Sequence, residues 1–345
     1  MHISDFDYEL PQELIAQEPL ARRDASRMLI VDRASHTWHD SQFTALPDHL
    51  RAPDVLVLNN TRVFPARLRG ERMPSGGAIE LLLLREIEPN VWQALTRPAR
   101  RLQTGARLLF GQSKLQAQVV ESLDDGARVI RFEPDQDLDS LIDRIGETPL
   151  PPYIKRAEGS AAGDRERYQT IYASERGAIA APTAGLHFTP EVLATVKEQG
   201  VKVVQITLHV GYGTFEPVRV DDVSRHVVAR EWFSIPDETA QSTNRARANG
   251  GRIFAVGTTT VRALESAANS IGEIAAGAGS SELTIVPGYR FSAVDALLTN
   301  FHLPRSSLLM LVSAFAGREI VLAAYSHAIK EGYRFYSYGD CMLII

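Results

Sequence analysis

The feature that most constrains the fold of this chain is a change of texture after residue 60. A short apolar run, VLVLNN at residues 55–60, is followed by evenly spaced, β-rich runs separated by Gly, Pro, Asp and Asn. Even spacing of short strands is typical of a small antiparallel barrel. We therefore predict a β-barrel inserted at residues 61–154, ending with a helix and the rigid segment PLPPYI. The β-rich runs are RVFPARLRG, AIELLLLRE, VWQALTR, RLLFG, LQAQVVES and ARVIRFE, and the helix is DQDLDSLIDRIG.

From residue 178 onward, predicted strands alternate with predicted helices, as in an α/β layered domain with a mostly parallel sheet. One helix carries clear boundary signals, because Thr189 can cap it, Pro190 suits its first position and Gly200 suits its end. We predict a discontinuous α/β domain, residues 1–60 and 155–345, interrupted by the barrel. Its predicted strands include AIAAP, VKVVQITLHV, RIFAVG and LTIV, and its helices cover residues 237–249, VRALESAA and one or two segments within 305–330.

Composition excludes several classes of protein. With 345 residues and 44% hydrophobic content, the chain can form globular cores in about two domains. No apolar stretch reaches the roughly 18 residues of a membrane helix, and the start, MHISDFDYELP, does not resemble an export signal. We expect a cytoplasmic protein without a membrane partner. The lone Cys341 excludes an internal disulfide and a metal site built on several thiolates.

Charge is unevenly distributed along the predicted barrel. The net charge of −5 argues against a protein that coats nucleic acid generally. Residues 62–110 nevertheless hold nine Arg and four Glu, whereas residues 111–150 hold four Lys or Arg and nine Asp or Glu. An RNA-facing patch that includes Arg97, Arg100 and Arg101 explains the basic half, and so does a solvated face of exposed strands. Composition leaves both interpretations open.

Glycine-containing polar loops follow several predicted strands. Because ligands bind at the carboxyl ends of parallel strands, these loops are expected to meet in one crevice. In AAPTAGLHFT, residues 180–189, Gly185 permits close backbone approach and His187 precedes a helix whose free N–H groups favour an anion. A structural turn with a hydrogen-bonded histidine explains the same residues.

Other loops of this kind are weaker signals. In TLHVGYGTFEPV, residues 207–218, the third glycine of a dinucleotide fingerprint is absent, and His209 equally fits a core histidine within the strand. AVGTTTVRALES places Thr258 and Thr259 where they can hold an anion or simply cap a helix. Asn300 and His302 precede an apolar helix, and the aromatic residues of YRFYSYGDCMLI fit either base stacking or a core strand.

Taken together, these strings resemble one known family, the queuosine-pathway tRNA ribosyltransferase-isomerases. The match runs in the same order from SDFDYELP at residue 4 to the C-terminus, through LNNTRVFPARL, PLPPYI, DRERYQTIYA, AAPTAGLHFT, TLHVGYGTFEPV, AVGTTTVRALES, PGYRF, LLTNFHLPRSSLLMLVSAFAG and YRFYSYGDCMLI. The resemblance implies an α/β catalytic domain interrupted by a barrel. It also implies a monomer that uses S-adenosyl-L-methionine as co-substrate and no metal.

The resemblance implies the reaction as well. The ribosyl unit of S-adenosylmethionine passes to 7-aminomethyl-7-deazaguanine at the wobble position of tRNA, which gives epoxyqueuosine-tRNA while adenine and methionine leave. Since the base must work near neutral pH, His187 or His209 is expected to take the C5′ proton or the amine proton, and Asp340 is a further catalytic candidate. Thr258, Thr259 and Arg262 are expected to hold the methionine carboxylate or a tRNA phosphate.

The remaining residues that the resemblance assigns to substrate or cofactor binding are Asn59, Thr61, Arg62, Pro182, Thr183, Gly185, Gly211, Gly213, Thr214, His226, Glu231, Asn300 and His302. Three features depart from the family pattern. Tyr212 stands where a small residue is usual, which is expected to narrow or re-line the pocket, and Ala229 stands where a second histidine is usual, so the catalytic role of that histidine is not carried over. Residues 269–283 are poor in the aromatic residues often seen before the PGY segment, so we expect a shortened or flexible loop there.

Two other functions compete with this interpretation. An S-adenosylmethionine-dependent tRNA methyltransferase would use the same co-substrate and yield S-adenosylhomocysteine rather than free adenine. A non-catalytic RNA-binding module would turn over no co-substrate and would need a more continuous basic face than the net acidity suggests.

Overall fold

The computed structural model describes residues 1–99, 102–111, 115–124, 126–156, 163–211, 213 and 218–345. Numbered along the chain, its strands are β1 Arg27–Asp32, β2 Thr37–Gln42, β3 Val55–Asn59, β4 Thr61–Val63, β5 Arg67–Met73, β6 Gly77–Glu88, β7 Val91–Arg97, β8 Arg107–Phe110, β9 Leu115–Ser122, β10 Arg128–Glu133, β11 Glu175–Ala178, β12 Lys202–Leu208, β13 Glu231–Ile235, β14 Ile253–Val256, β15 Gly277–Ser281, β16 Ala296–Asn300 and β17 Cys341–Ile344. The helices are α1 Leu138–Ile145, α2 Asp164–Arg167, α3 Pro190–Glu198, α4 Asp237–Ala248, α5 Thr258–Ala267, α6 Ser307–Ala316 and α7 Arg318–Lys330.

Most of the strands outside the barrel form one sheet in the order β15-β13-β12-β3-β14-β16-β17-β1-β2. Its centre, β12-β3-β14-β16, is parallel, and β3 is buried along its whole length. Val55 and Val57 pack into the core on one face of the sheet, while Leu56 and Leu58 pack into the core on the other. Burial on both faces explains why the apolar run VLVL at residues 55–58 is unbroken.

The α/β fold class is confirmed, although the sheet is mixed rather than mostly parallel. Antiparallel pairs flank the parallel centre, with β13 and β15 on one side and β17 on the other. At the far edge, β1 and β2 form an antiparallel pair joined by a short turn. A connection that short can join only antiparallel strands, so no helix lies between β1 and β2.

The predicted barrel is confirmed as a closed barrel in the order β10-β7-β6-β5-β8-β9. Apolar side chains that alternate along its strands fill the interior, as Leu81 and Leu83 of β6 do, and α1 adds Leu141 and Ile142 to the same core. These strands run from Arg67 to Glu133, inside the predicted range of 61–154. The exact bounds of the two domains stay a prediction.

The helix boundaries follow the local chemistry. The side chain of Thr189 accepts a hydrogen bond from the Val192 N–H, Pro190 is the first residue of α3, and Gly200 adopts a φ of +77° just after its end. Residues 305–330 form two helices, divided at Gly317. Among the described residues, no single helix has the length and apolar character to cross a membrane; α6 and α7 reach that threshold only when taken together, with a bend of 114° between them.

Two predicted strands are wrong. LTIV, residues 283–286, is irregular, and the edge strand β15 lies just before it. Ile285 is buried in the core, so the apolar character of this segment serves packing, and Pro287 offers no N–H to continue a ladder. In AIAAP only Ala178 belongs to a strand, because the following residues lead into the 3-10 turn Thr183–His187.

Candidate active site

Four parallel strands end at the same edge of the sheet. Their last residues are Asn59, Leu208, Val256 and Asn300, and the loops after them border a cavity with about 710 Å³ of empty space, counting the part open to solvent. This strand-end cavity is lined by Tyr153, Tyr168, Ala180, Ala181, Pro182, Thr183, Ala184, Val210, Gly257, Thr258, Thr259, Thr299, Asn300, Phe301, His302, Leu303, Ser306, Leu308, Tyr336 and Ser337. It therefore contains Pro182, Thr183, Thr258, Thr259, Asn300 and His302 of the predicted binding set.

The start of α5 forms one wall of the strand-end cavity. Gly257 is its N-cap residue, with a φ of +89°, and no side chain among the described residues caps the first turn. Thr258 and Thr259 follow and are buried. The first N–H groups of a helix have no partner inside it and carry a partial positive charge, so this wall suits a carboxylate or a phosphate.

Asn300 presents a fixed amide at the end of β16. Its Nδ2 donates to the backbone oxygens of Tyr336 at 3.1 Å and Asp340 at 3.3 Å, and lies 3.2 Å from Nε2 of His187. The residue is 2% exposed, and its Oδ1 has no partner among the described residues. A buried acceptor without a partner costs free energy, which a ligand with an N–H group would recover.

His187 lies behind Asn300 rather than on the cavity wall. Its Nδ1 is 2.8 Å from Oγ of Ser26, and burial lowers the pKa of the imidazole to about 3, with the charges of Arg334 and Arg23 acting in the same direction. The ring is therefore neutral at physiological pH. In that state Nε2 accepts from Asn300 while Nδ1–H donates to Ser26.

The other two histidines at this edge are also held by hydroxyl groups. His302 lines the cavity with its Nε2 2.7 Å from Oγ1 of Thr299, and burial lowers its pKa to about 3. His209 lies just after β12, not within the strand as predicted. Its Nδ1 is 2.8 Å from Oγ1 of Thr61, its ring stacks on Trp232, and burial lowers its pKa.

Asn59 ties the strand ends together. Its Nδ2 donates to the Leu208 carbonyl at 3.0 Å and to Oγ1 of Thr259 at 3.3 Å, while its Oδ1 accepts from the N–H groups of Leu208 and Thr61 at 3.0 and 3.1 Å. The side chain is fully buried and does not line the cavity. Asn59, assigned to binding by the resemblance, thus fixes the positions of residues that border the cavity.

Glu231 and Arg262 form a buried ion pair beside a second, smaller cavity. Glu231 also accepts from the Gly211 N–H at 3.1 Å, and Arg262 also donates to the Leu283 carbonyl at 3.2 Å. The structure therefore does not bring Arg262 into the strand-end cavity with Thr258 and Thr259, contrary to expectation. Because the guanidinium already has these partners, it supports the loop that contains Gly211.

Close packing explains two of the predicted glycines. A Cβ on Gly185 would lie 2.1 Å from Oη of Tyr172, and a Cβ on Gly213 would lie 2.7 Å from the Cβ of Ala229. Ala229, a residue that departs from the family pattern, therefore packs against the backbone of Gly213. The positions Thr214, Tyr212, Arg100 and Arg101 lie outside the described residues.

Three further predicted residues stand apart from the strand-end cavity. The carboxylate of Asp340 accepts from the backbone N–H groups of Arg27 and Arg334, both at 2.8 Å, and burial raises its pKa. Asp340 is connected to the cavity only through its backbone oxygen, which binds Asn300. Arg62 is exposed on β4, and His226 is half-buried after the turn Val223–Arg225.

Aromatic residues that sequence reasoning did not select also line the cavity. Tyr153 and Tyr336 lie with ring centroids 4.7 Å apart, and Oη of Tyr153 is 2.7 Å from Oγ of Ser337. Tyr336 adopts a φ of +72°, which is strained for a tyrosine and common at functional sites. The signal was present in PLPPYI and YRFYSYGD, but neither string alone distinguishes a cavity wall from a core.

A second large depression, which we call the basic cleft, lies between the barrel and the segment 149–154. It holds about 1620 Å³ of empty space, counting the open part, and its charged lining residues are Arg67, Arg69, Arg97, Lys155, Arg156 and Glu80. Arg69 pairs with Glu147 and Arg156 with Asp164. Arg97 and Lys155 are exposed. The segment 149–154 borders the strand-end cavity as well, through Tyr153.

Comparison with known proteins decides the family. Residues 3–344 match the model of the family described as "Queuosine biosynthesis protein". The chain belongs to this family. Among its relatives, proteins from Desulforamulus reducens and Moorella thermoacetica are 48% and 51% identical to it over the full length of both chains, and each is named S-adenosylmethionine:tRNA ribosyltransferase-isomerase.

A solved structure supports the same placement in the queuosine biosynthesis family. The crystal structure of S-adenosylmethionine tRNA ribosyltransferase from Thermotoga maritima aligns with a TM-score of 0.56 and 38% identity, covering 99% of this chain and 100% of that one. Within the described residues, no group of three or more His, Cys, Asp or Glu side chains is arranged to hold a metal ion.

The low pKa of His187 predicts how stability depends on pH. An unfolded histidine takes up a proton near pH 6.5, whereas folded His187 stays neutral down to about 3. Between those values the unfolded state binds more protons, so the free energy of unfolding falls as the pH falls. In urea titrations from pH 7 to 4, His187→Gln should reduce this slope by up to about 1.4 kcal/mol per pH unit.

The exposed His39 provides a matched control, because His39→Gln should leave the slope at the wild-type value. An unchanged slope in the His187→Gln protein would contradict the assignment of His187 as a buried neutral group.

Proposed function

We propose that this chain is an S-adenosylmethionine:tRNA ribosyltransferase-isomerase. In the proposed reaction the ribosyl unit of S-adenosylmethionine passes to 7-aminomethyl-7-deazaguanine at the tRNA wobble position, which gives epoxyqueuosine-tRNA and releases adenine and methionine. The observation that carries the proposal is full-length identity of about half with relatives named for this activity. We further propose a cytoplasmic monomer that needs no metal and no membrane.

The strand-end cavity is the proposed site of the reaction. The sulfonium of S-adenosylmethionine acidifies the C5′ protons and makes methionine a leaving group, so the co-substrate brings much of the reactivity. The protein must supply an anion site, a surface for the adenine and a neutral base. The start of α5 with Thr258 and Thr259 offers the anion site. The rings of Tyr153 and Tyr336 offer the surface for the adenine.

For the base we propose one of the two histidines His187 and His209. Burial lowers the pKa of both imidazoles, to about 3 for His187, so both rings are unprotonated at pH 7. The lower the pKa, the weaker the base, so a bound substrate must raise the basicity of the ring that takes the proton. His187 reaches the strand-end cavity through Asn300. His209 reaches it through Thr61 and Asn59, which contacts Thr259. Direct proton transfer to either ring therefore requires the bound substrate to replace its present partner.

The products test the proposed reaction. Incubation of the enzyme with S-adenosylmethionine and tRNA that carries the aminomethyl base should release adenine and methionine in equal amounts, measured by liquid chromatography. S-adenosylhomocysteine in place of adenine would mean methyl transfer and would refute the proposal. The matched control is tRNA with unmodified guanine at the wobble position, which lacks the amine nucleophile and should release no adenine.

Single substitutions test the base. His187→Ala and His209→Ala are measured separately in the adenine assay. In one of the two proteins the turnover should fall at least about a hundredfold, since general base catalysis contributes about that much. Binding of S-adenosylhomocysteine to that protein should remain near normal. Normal turnover in both proteins would show that neither histidine is the base.

The basic cleft is the proposed docking surface for the tRNA backbone. Its lining carries five cationic side chains against one carboxylate, and two of the cations, Arg97 and Lys155, are exposed. Because residues 149–154 border both the cleft and the strand-end cavity, a strand lying in the cleft can extend a base toward Tyr153. Arg100 and Arg101 remain part of the proposed surface on sequence grounds alone.

Salt dependence tests this surface. Each phosphate contact that is lost reduces the slope of log K against log salt by about 0.7 to 0.9, so Arg97→Gln with Lys155→Gln should flatten the slope by about 1.4 to 1.8. The control pair Lys197→Gln and Lys330→Gln removes the same charge from exposed positions on α3 and α7. If both double variants show the wild-type slope in filter binding, the tRNA docks elsewhere.

A further inference from the structure

Two buried side-chain oxygens of residues that line the strand-end cavity have no hydrogen-bond partner among the described residues, namely Oη of Tyr168 and Oδ1 of Asn300. The Asn300 oxygen is the one that belongs to a fixed amide. The amide cannot turn without losing contacts, because its nitrogen faces the carbonyls of Tyr336 and Asp340 and the Nε2 acceptor of His187. Two of the three partners of the nitrogen, His187 and Asp340, do not line the cavity, and the third is the backbone oxygen of Tyr336, a lining residue. The oxygen is then the amide atom left for the cavity, buried and without a partner among the described residues.

The position of Asn300 relative to α5 limits what can bind there. Val256 and Leu298 are paired in the parallel ladder, and the N–H of Gly257, the N-cap residue of α5, donates to the Leu298 carbonyl at 2.8 Å. The start of α5 is thus anchored to β16 two residues before Asn300, and both border the strand-end cavity. An anion site at the start of α5 and an unpaired acceptor on Asn300 are therefore neighbours, and a ligand that fits both has a negative group and an N–H donor a few ångströms apart.

We propose that this pair of groups binds the α-amino acid end of S-adenosylmethionine. The carboxylate lies on the free N–H groups of the first turn of α5, and the α-ammonium donates to Oδ1 of Asn300. A single carbon joins these two groups in an amino acid, which matches the closeness of the two subsites. This inference rests on the proposed function, since it concerns how the co-substrate of that reaction is oriented.

The orientation has a consequence for the rest of the co-substrate. With the amino acid end held between β14 and β16, the nucleoside extends toward the aromatic wall of Tyr153 and Tyr336. In the arrangement with His209 as the base, Nε2 of His187 keeps its contact with the Asn300 amide nitrogen. The same N–H chemistry could come from the exocyclic amine of adenine, and the experiment separates the two sources.

The test removes the amine from the ligand and the acceptor from the protein. S-adenosylhomocysteine and its analogue that lacks only the α-amino group are titrated calorimetrically into the wild type and into Asn300→Ala. In the wild type the missing amine should weaken binding about tenfold or more, the usual scale for a hydrogen bond to a charged group. In Asn300→Ala the two ligands should bind with equal affinity. Equal affinity in the wild type, or an equal loss in both proteins, overturns the proposal.

Adenosine distinguishes the alternative source of the N–H group. Its affinity should be the same for the wild type and Asn300→Ala. A fall of about tenfold would assign the oxygen to the purine amine and overturn the proposal.

Asn60→Ala is the matched control, because Asn60 is a half-buried amide at a neighbouring strand end and does not line the cavity. This variant should bind S-adenosylhomocysteine more tightly than the analogue without the α-amino group, by the same factor as the wild type.

If the alanine protein does not fold, Asn300→Ser gives the same comparison with a side chain too short to reach the ligand. Failure here is distinguishable from failure of the proposed function, because adenine release by the wild type does not depend on which subsite holds the amine.

Discussion

The site depends on the parallel pairing of β12, β3, β14 and β16, which ends four strands at one edge of the sheet. Backbone hydrogen bonds alone would leave the loops beyond those ends free to diverge. Asn59 prevents this, since one buried amide binds the end of β12, the start of β4 and the first turn of α5. The strand ends and the first turn of α5 are placed by this contact and by the ladder beneath it.

Burial gives the site its chemical character. His187 and His302 are enclosed so completely that both imidazoles stay neutral far below physiological pH, and each contacts a hydroxyl group rather than a carboxylate. The charged groups at the edge are similarly committed, since Glu231 pairs with Arg262 and Asp340 binds two backbone N–H groups. The cavity therefore offers helix-end N–H groups that suit a carboxylate, an amide oxygen that suits an N–H donor, and aromatic rings that suit a purine.

The sequence predicted the architecture well because local signals agreed with it. The even spacing of β-rich runs indicated the barrel, and Thr189, Pro190 and Gly200 marked the limits of α3. The LTIV strand was wrong because apolar residues can be buried without entering a ladder, and periodicity does not separate the two cases. The mixed character of the sheet was not predicted. The direction of each strand depends on the path that the chain takes between distant segments, and local sequence patterns do not contain that path.

The site was less predictable, and the reason lies in geometry. Sequence strings placed Thr258, Thr259, Asn300 and His302 at the strand-end cavity, but they could not show that Arg262 would turn toward Glu231 or that His187 would stand behind Asn300. Tyr153 was read as part of a rigid exit from the barrel. Only the folded chain brings it against Tyr336, some 180 residues further along.

The most direct test of the central claim, that the strand-end cavity receives S-adenosylmethionine, is a crystal structure of the enzyme with S-adenosylhomocysteine bound. The account predicts that the amino acid end lies between Thr258 and Asn300 and that adenine lies against Tyr153 and Tyr336. Density for the nucleoside in the basic cleft, or in the small cavity beside Arg262, would contradict it.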